Sequence, residues 1–172
     1  MPLPGVPQTF GLESCRDLLD KLQWEIEGFR SEDPRNAEAL IYRAFNSAVT
    51  AWHIADWVWE DATPEQRASF PATTRRELQD LVRRECRALH LCRQVATASK
   101  HQRVTMFPDP NVETVVSAAD MITEDADDSS LTTPPIWVIK FVDDGKRIPA
   151  IKVFEDAFHY WTQFIYSHRI AA

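Results

Sequence analysis

Glycine is scarce in this chain, which has only four glycines in 172 residues. Phosphate-binding loops and many-turned all-β folds both use glycine freely, so its scarcity disfavours those two classes. Cysteine is sparse as well: Cys15, Cys86 and Cys92 form no CxxC pair. Because no secretory hydrophobic segment opens the sequence, we expect a cytoplasmic protein with reduced thiols.

Long apolar runs are also missing. A membrane-spanning helix needs about 20 apolar residues, and every apolar stretch here is interrupted well before that length by Asp, Lys or His. We therefore expect no membrane segment. The formal net charge of -7 disfavours nucleic-acid binding over a broad face, although a local basic patch stays compatible with it.

What the sequence does contain is helical periodicity. Apolar spacing predicts helices over residues 13–29, about 35–60 and 74–100, with Ser14 and Thr74 at two of the starts. A short helix should open at Thr63 and stop before Pro71. The helix over 35–60 is apolar nearly all round, so we expect it at the centre of a bundle.

After residue 104 the pattern changes to strands. Residues 112–116 and 136–142 are β-rich, and the Asp-Asp-Gly-Lys turn at 143–146 predicts a hairpin returning through 147–151. Pro149 marks the return as an edge strand. A last helix should run from about Val153 to Ser167.

These elements predict a mainly α fold, with helices over about 55 to 65% of the chain. The architecture is a bundle of four to five helices with a small antiparallel sheet inserted before the C-terminal helix. We expect one domain, with a flexible arm at 1–11, the bundle at 12–103, an acidic loop and the sheet at 104–152, and the last helix at 153–168.

The helix over 35–60 carries a polar stripe among its tryptophans. Asn46, His53 and Asp56 lie close to one face, and we expect all three to be largely buried and hydrogen-bonded. Asp56 would accept from His53 or from an indole. An alternative is a metal site made by His53 and Asp56 with His90 or His101. The spacing of these residues is no strong metal signature, so we expect neither a metal nor another cofactor.

Charge is unevenly distributed. Residues 74–103 contain eight basic and three acidic side chains, whereas residues 104–139 contain seven acidic side chains and no Lys or Arg. Three interpretations stay open: a solvated helix and a solvated loop, an anion-binding face, or an acidic loop that folds back over the basic helix.

The basic helix carries a second polar stripe formed by His90, Gln94, Thr97 and His101, with Arg93 and Lys100 beside it. An imidazole that moves the proton of a 2′-hydroxyl and a fixed cation that stabilises a charged phosphorane are the groups that RNA cleavage without a metal requires. A histidine that caps the end of a helix is the structural alternative.

The segments Ala-Trp-His-Ile-Ala-Asp-Trp at 51–57 and Cys-Arg-Gln-Val-Ala-Thr-Ala-Ser-Lys-His at 92–101 resemble the HEPN superfamily of α-helical bundles. The resemblance covers helices one to four, and the sheet and last helix look like an addition. It implies a homodimer and a metal-independent ribonuclease of a defence or toxin–antitoxin system, with RNA and an antitoxin as partners.

The family motif is an arginine, four to six intervening residues and a histidine. Arg84 and His90 are separated by five residues, whereas Arg93 and His101 are separated by seven, one more than the motif allows. The resemblance therefore implies two candidate catalytic sets: His101 with Arg93 and Lys100, or His90 with Arg84. Two alternatives stay open, namely an inactive module of the same fold that binds a partner or itself, and a helical metal-binding protein.

Overall fold

The structure is a computed structural model that describes residues 9–101, 108–119 and 134–170. Helices make up 64% of these residues, and a small antiparallel sheet precedes the C-terminal helix, so the predicted fold class is confirmed. Most of the predicted arm and of the predicted acidic loop lies outside the described residues. The elements, in chain order, are α1 (Cys15–Ser31), α2 (Ala37–Asp61), α3 (Pro64–Ala68), α4 (Arg75–Glu85), α5 (Arg87–His101), β1 (Val112–Ala118), β2 (Trp137–Asp143), β3 (Lys146–Pro149) and α6 (Ala150–Ser167).

Side-chain caps start several of the helices. Ser14 accepts from the backbone of Asp17 at the start of α1, and the Asp17 side chain accepts from the backbone of Ser14 in return. Thr63 and Gln66 form the same reciprocal pair at α3, and Thr74 caps α4. These starts agree with the sequence predictions, because Ser and Thr satisfy the free N–H groups of a first helical turn. No helix in the part of the chain that the structure describes could cross a membrane.

The long tryptophan-rich helix α2 lies at the centre of the bundle, as predicted. It packs against α1, α4, α5, α6 and β2. Ala51, Ile54 and Val58 are fully buried, and the small Ala51 brings the backbone of α2 close to α6. There the buried Trp161 donates its Nε1–H to the carbonyl of Ala51 at 2.8 Å. One hydrogen bond thereby fixes the C-terminal helix on the central one.

The basic helix is not continuous, so the prediction of a single helix over 74–100 is wrong. Cys86 has extended backbone angles, with φ -123° and ψ 103°. Its N–H donates to the carbonyl of Val82 and ends α4, and its carbonyl accepts from Leu89 and His90 and starts α5. Cys86 is therefore a one-residue joint that lets α4 and α5 point in different directions.

The sheet has the order β1-β2-β3, and both pairs are antiparallel. Asp144 and Gly145 have φ values of 52° and 78°, which is the geometry of the predicted two-residue hairpin turn. The last helix begins at Ala150 instead of Val153, because Pro149, with φ -55°, already has the φ of a helix start. Phe141 of β2 is buried with its ring 6.1 Å from that of Phe154 on α6, which anchors the sheet on the bundle.

Candidate functional site

A cleft of about 600 Å³ opens between α2, α4 and α5. Four basic side chains and two carboxylates line it, and we call it the basic cleft. Its lining residues are Trp52, His53, Asp56, Arg75, Arg76, Gln79, Asp80, Arg93, Ala96, Thr97 and Lys100. The break at Cys86 matters here, because α4 and α5 can face the same cavity only as two separate helices.

Helix α2 forms one wall of the basic cleft. Trp52 is buried, whereas His53 and Asp56 are half-buried and turn towards the cavity. The carboxylate of Asp56 accepts from Gln79 Nε2 at 2.7 Å and lies 3.7 Å from Arg75. Asp56 therefore bonds across the cleft to α4, and the His53 or indole donor predicted for it is not its partner.

Asn46, the third residue of the predicted stripe, is exposed, so its predicted burial is wrong. All the tryptophans of α2 lie in its C-terminal half, from Trp52 onwards, and cannot cover Asn46. Its neighbours Tyr42 and Phe45 are exposed as well. The N-terminal half of α2 thus turns this face to solvent, although helical periodicity puts Asn46 almost in line with His53.

Helix α4 contributes Arg75 and Arg76 from its first turn. The free N–H groups of a helix start carry a partial positive charge, so two guanidinium groups there add to a positive potential. Arg75 lies 3.8 Å from Glu60 and close to Asp56. Arg76 is exposed and has no ion pair or hydrogen bond within the described residues. The positive charge of this wall is thus only partly compensated.

Helix α5 contributes Arg93, Thr97 and Lys100, at steps of four and three residues. The guanidinium carbon of Arg93 lies 6.0 Å from the centre of the Trp52 ring, within reach of a cation–π contact. Burial and the charge of Arg83 lower the pKa of Arg93, but a guanidinium stays charged at neutral pH. Lys100 is exposed and, within the described residues, forms no ion pair.

The imidazole of His53 lies on the floor of this cationic surface. Burial lowers its pKa, and the nearby charges of Lys100 and Lys21 lower it further, while Asp56 acts in the opposite direction. Since an ordinary histidine titrates near 6.5, His53 is mainly neutral at pH 7. A neutral imidazole can accept a proton, whereas an imidazolium cannot.

His90 lies elsewhere, in a second polar cluster that we call the α5–sheet cluster. Its Nε2 lies 2.9 Å from Asp109, and Arg87 donates to Asp109 at 3.1 Å and to Asp143 at 3.0 Å. Gln94 is 3.4 Å from the His90 ring. Burial lowers the pKa of His90. The cluster connects the start of α5 to the residues before β1 and to the end of β2. Of the acidic segment, Asp109 therefore contacts the start of α5.

The structure places the residues of the two predicted Arg and His pairs in different surroundings. Arg84 is exposed on α4, where it donates to the carbonyl of Asp80, whereas His90 is buried on α5 and bonds to Asp109. Arg93 and Lys100 both line the basic cleft. The side chain of His101, with which α5 ends, lies outside the described residues. Among the described side chains, His53 lines the same cavity as Arg93 and Lys100.

The α4 side of the basic cleft was not identified from the sequence. Arg75 and Arg76 were counted only in the general basic charge of residues 74–103, and Gln79 and Asp80 were assigned no role in a site. Of the described side chains in the predicted stripe on α5, Thr97 alone lines the cavity, together with its neighbours Arg93, Ala96 and Lys100. The steps from Arg93 to Thr97 and Lys100 were a usable signal, since residues four and three apart lie on one helical face.

No group of three or more His, Cys, Asp or Glu side chains that could hold a metal ion occurs in the described ranges. The structure divides one predicted ligand set, because His90 bonds to Asp109 while His53 and Asp56 face the basic cleft.

No protein-family model, curated protein or solved structure matches this chain. Function is therefore inferred from the chemistry of the basic cleft, to which the HEPN resemblance adds an expectation.

Proposed function

We propose that this protein binds RNA and that the basic cleft holds the phosphodiester backbone. The observation that supports this most is the convergence of Arg75, Arg76, Arg93 and Lys100 on one cavity of about 600 Å³. That volume is within the range of roughly 300 to 1,000 Å³ of ligand sites in proteins. A cavity of this size suits a nucleotide or a short part of a strand better than a duplex.

An anion would relieve the charge repulsion that the cleft contains. Arg75 and Arg76 occupy the positive end of α4, where a cation is unfavourable and an anion is stabilised. Asp56 and Asp80 neutralise part of the charge, but Asp80 is also engaged by Arg83 at 2.8 Å. A phosphate bound between α4 and α5 would place negative charge beside Arg76 and Lys100, which have no ion pair among the described residues. Guanidinium groups also match phosphate oxygens in geometry.

The rest of the protein limits how RNA can bind. The chain has a formal net charge of -7, so contact over a broad surface would be repulsive. Binding confined to a cleft lined by basic groups avoids that repulsion. Single-stranded segments are the class of RNA whose bases can be separated and inserted into such a cavity.

The HEPN resemblance extends the proposal to a biological role. Members of that superfamily act on RNA in bacterial defence and toxin–antitoxin systems, so we propose such a role here, with an antitoxin or another defence protein as partner. Expression of the wild-type chain in a bacterial host should then slow growth, and the Arg76→Ala, Lys100→Ala double variant should slow it less.

The salt dependence of RNA binding tests the proposal directly. For a single strand, the slope of log K against log salt concentration is about -0.7 per neutralised phosphate, so two to four contacts predict a slope of roughly -1.5 to -3. Fluorescence anisotropy with a labelled single-stranded RNA measures it. Lys100→Ala should weaken binding and make the slope less steep by about 0.7.

Arg147→Ala is the matched control, since Arg147 is exposed on β3 and does not line the cleft. It removes the same formal charge from the protein. Equal losses of affinity in Lys100→Ala and Arg147→Ala would show that binding follows net charge and would contradict the proposed site.

A second candidate function is self-association, supported by a different surface. Ile41, Tyr42 and Phe45 on the N-terminal half of α2 are 40%, 59% and 43% exposed. Exposed aromatic and aliphatic groups that lie together are typical of protein interfaces. Light scattering after size exclusion should report a dimer, and Phe45→Ser should shift it towards monomer. A wild-type monomer at all concentrations would contradict this candidate.

A further inference from the structure

Among the described residues, His53 is the only histidine that lines the basic cleft. It lies on the central helix, which other elements surround, so its position is fixed by the packing of the bundle. In the described structure its ring has no hydrogen-bond partner, and the ring faces a cavity that cations line on two sides. An imidazole that packing holds in place, and to which no described protein group bonds, is available to a ligand.

We propose that His53 is the catalytic base of an RNA-cleaving reaction in the basic cleft. The inference rests on the proposed function, since the cleft must first bind RNA. It differs from the sequence predictions, which assigned the proton transfer to His101 or His90.

The reaction is a transesterification. A ring nitrogen of His53 accepts the proton of a ribose 2′-hydroxyl, and the 2′-oxygen forms a bond to the adjacent phosphorus. The bond from phosphorus to the 5′-oxygen of the next nucleotide breaks, and that oxygen keeps the electron pair and takes a proton from water. The products are a 2′,3′-cyclic phosphate and a 5′-hydroxyl, and His53 later releases its proton to solvent.

The surroundings of His53 suit this role. The described charged groups around it are Lys21 from α1, Asp56 from α2, Arg75, Arg76 and Asp80 from α4, and Arg93 and Lys100 from α5. The cations can stabilise the charge that develops on the phosphorane oxygens. Burial first, and then the charges of Lys100 and Lys21, lower the pKa of His53 and keep the imidazole mainly neutral at pH 7. Cleavage should therefore rise with pH through the acidic range and reach its plateau below neutrality.

The experiment uses the full chain and two oligonucleotides of one sequence, an RNA and its 2′-O-methyl analogue. The analogue lacks the reacting hydroxyl and therefore reports binding alone. We expect His53→Gln to slow RNA cleavage by roughly 10²- to 10⁴-fold, as for loss of a general base. It should keep its affinity for the analogue. Added imidazole should partly restore cleavage in His53→Ala, which a merely structural role would not produce.

His159→Gln is the matched control, because His159 is exposed on α6 and does not line the cleft. It should cleave like wild type, and it is purified identically to detect a contaminating nuclease. Mass spectrometry should find the 2′,3′-cyclic phosphate.

The outcomes separate the two proposals. Wild-type protein that binds the analogue but leaves RNA intact overturns His53 as the base and keeps the proposed RNA binding. Cleavage by His53→Gln at the wild-type rate would also overturn His53 as the base and leave the proposed RNA binding intact. If wild type binds neither oligonucleotide, the proposed function itself fails.

Discussion

The basic cleft and the α5–sheet cluster both contain arginine, histidine and aspartate, yet they differ in how their charges are arranged. In the cluster, Arg87 lies between Asp109 and Asp143, and His90 bonds to Asp109. In the cleft, four basic side chains face two carboxylates, and Arg76 and Lys100 have no ion pair within the described residues. The charged groups of the cluster all have partners, whereas the described lining of the cleft holds more basic than acidic side chains.

This difference separates a structural role from a functional one. A satisfied ion pair at the junction of two elements stabilises that junction and has little capacity left for a ligand. Excess charge in a cavity lowers stability unless something outside the protein compensates it, as is common at binding sites. Substitutions in the basic cleft should therefore change mainly the affinity for RNA, and substitutions in the α5–sheet cluster should change mainly the free energy of unfolding.

The largest effect should come from reversing charge in the basic cleft. Arg76→Glu combined with Lys100→Glu changes the local charge by four units. We expect RNA affinity to fall by at least about 100-fold, since each substitution removes a cation that attracts phosphate and adds an anion that repels it. The thermal midpoint should stay close to that of wild type, because neither side chain has an ion-pair partner among the described residues. A large fall in the thermal midpoint with unchanged RNA affinity would contradict the functional role of the cleft.

The opposite pattern is expected for Arg87→Ala. This change leaves Asp109 and Asp143 without their shared cation, and hydrogen bonds to charged groups contribute about 1.5 to 3 kcal/mol each in favourable cases. Arg87 is half-exposed, so we expect the free energy of unfolding to fall by about 1 to 2 kcal/mol. Urea unfolding measures this loss, and RNA affinity should not change. Arg147→Ala is again the control, because Arg147 has no ion pair in the part of the chain that the structure describes.

Acid should weaken the same cluster. The backbone N–H of Asn111 and the neighbours His90 and Arg87 lower the pKa of Asp109, and Arg87 lowers the pKa of Asp143. A carboxylate with a lowered pKa stabilises the fold above its unfolded pKa near 4, and this stability is lost as pH falls through the folded value. Urea unfolding between pH 5 and 3 should show the loss, and Asp109→Asn with Asp143→Asn should flatten that part of the profile. An unchanged profile would contradict the account of the cluster.

The sequence predicted the parts of the fold that local chemistry determines. Ser14, Thr63 and Thr74 cap helices wherever they precede a suitable turn, and the Asp-Asp-Gly-Lys hairpin needs only its own backbone angles. The central position of α2 followed from its apolar surface. These features need no knowledge of distant contacts.

The joint at Cys86 could not be read in this way. No glycine or proline marks it, and its neighbours are held by distant groups: Glu85 accepts from Tyr160 at 2.7 Å, and Arg87 bonds to Asp109 and Asp143. Which residues of α4 and α5 line the basic cleft depends on that joint. The sequence therefore indicated Arg93, Lys100, His53 and Asp56 separately, and only the packing of α4 beside α5 places them around one cavity.

The smallest effect offers the finest test of the comparison. Asp56→Asn keeps an oxygen that can accept from Gln79 but removes one of the two carboxylates from the basic cleft. If the cleft binds phosphate, loss of this negative charge should tighten RNA binding by about 2- to 5-fold at low salt, which corresponds to a surface charge interaction of roughly 0.4 to 1 kcal/mol. Anisotropy titrations at two salt concentrations measure this change in affinity, and the gain should shrink at high salt.

Asp20→Asn is the control, because Asp20 is exposed on α1 and does not line the cleft. It removes the same formal charge and should have a smaller effect on RNA affinity. Weaker binding by Asp56→Asn would mean that Asp56 itself contacts the ligand, so that the cleft recognises a donor group in addition to an anion.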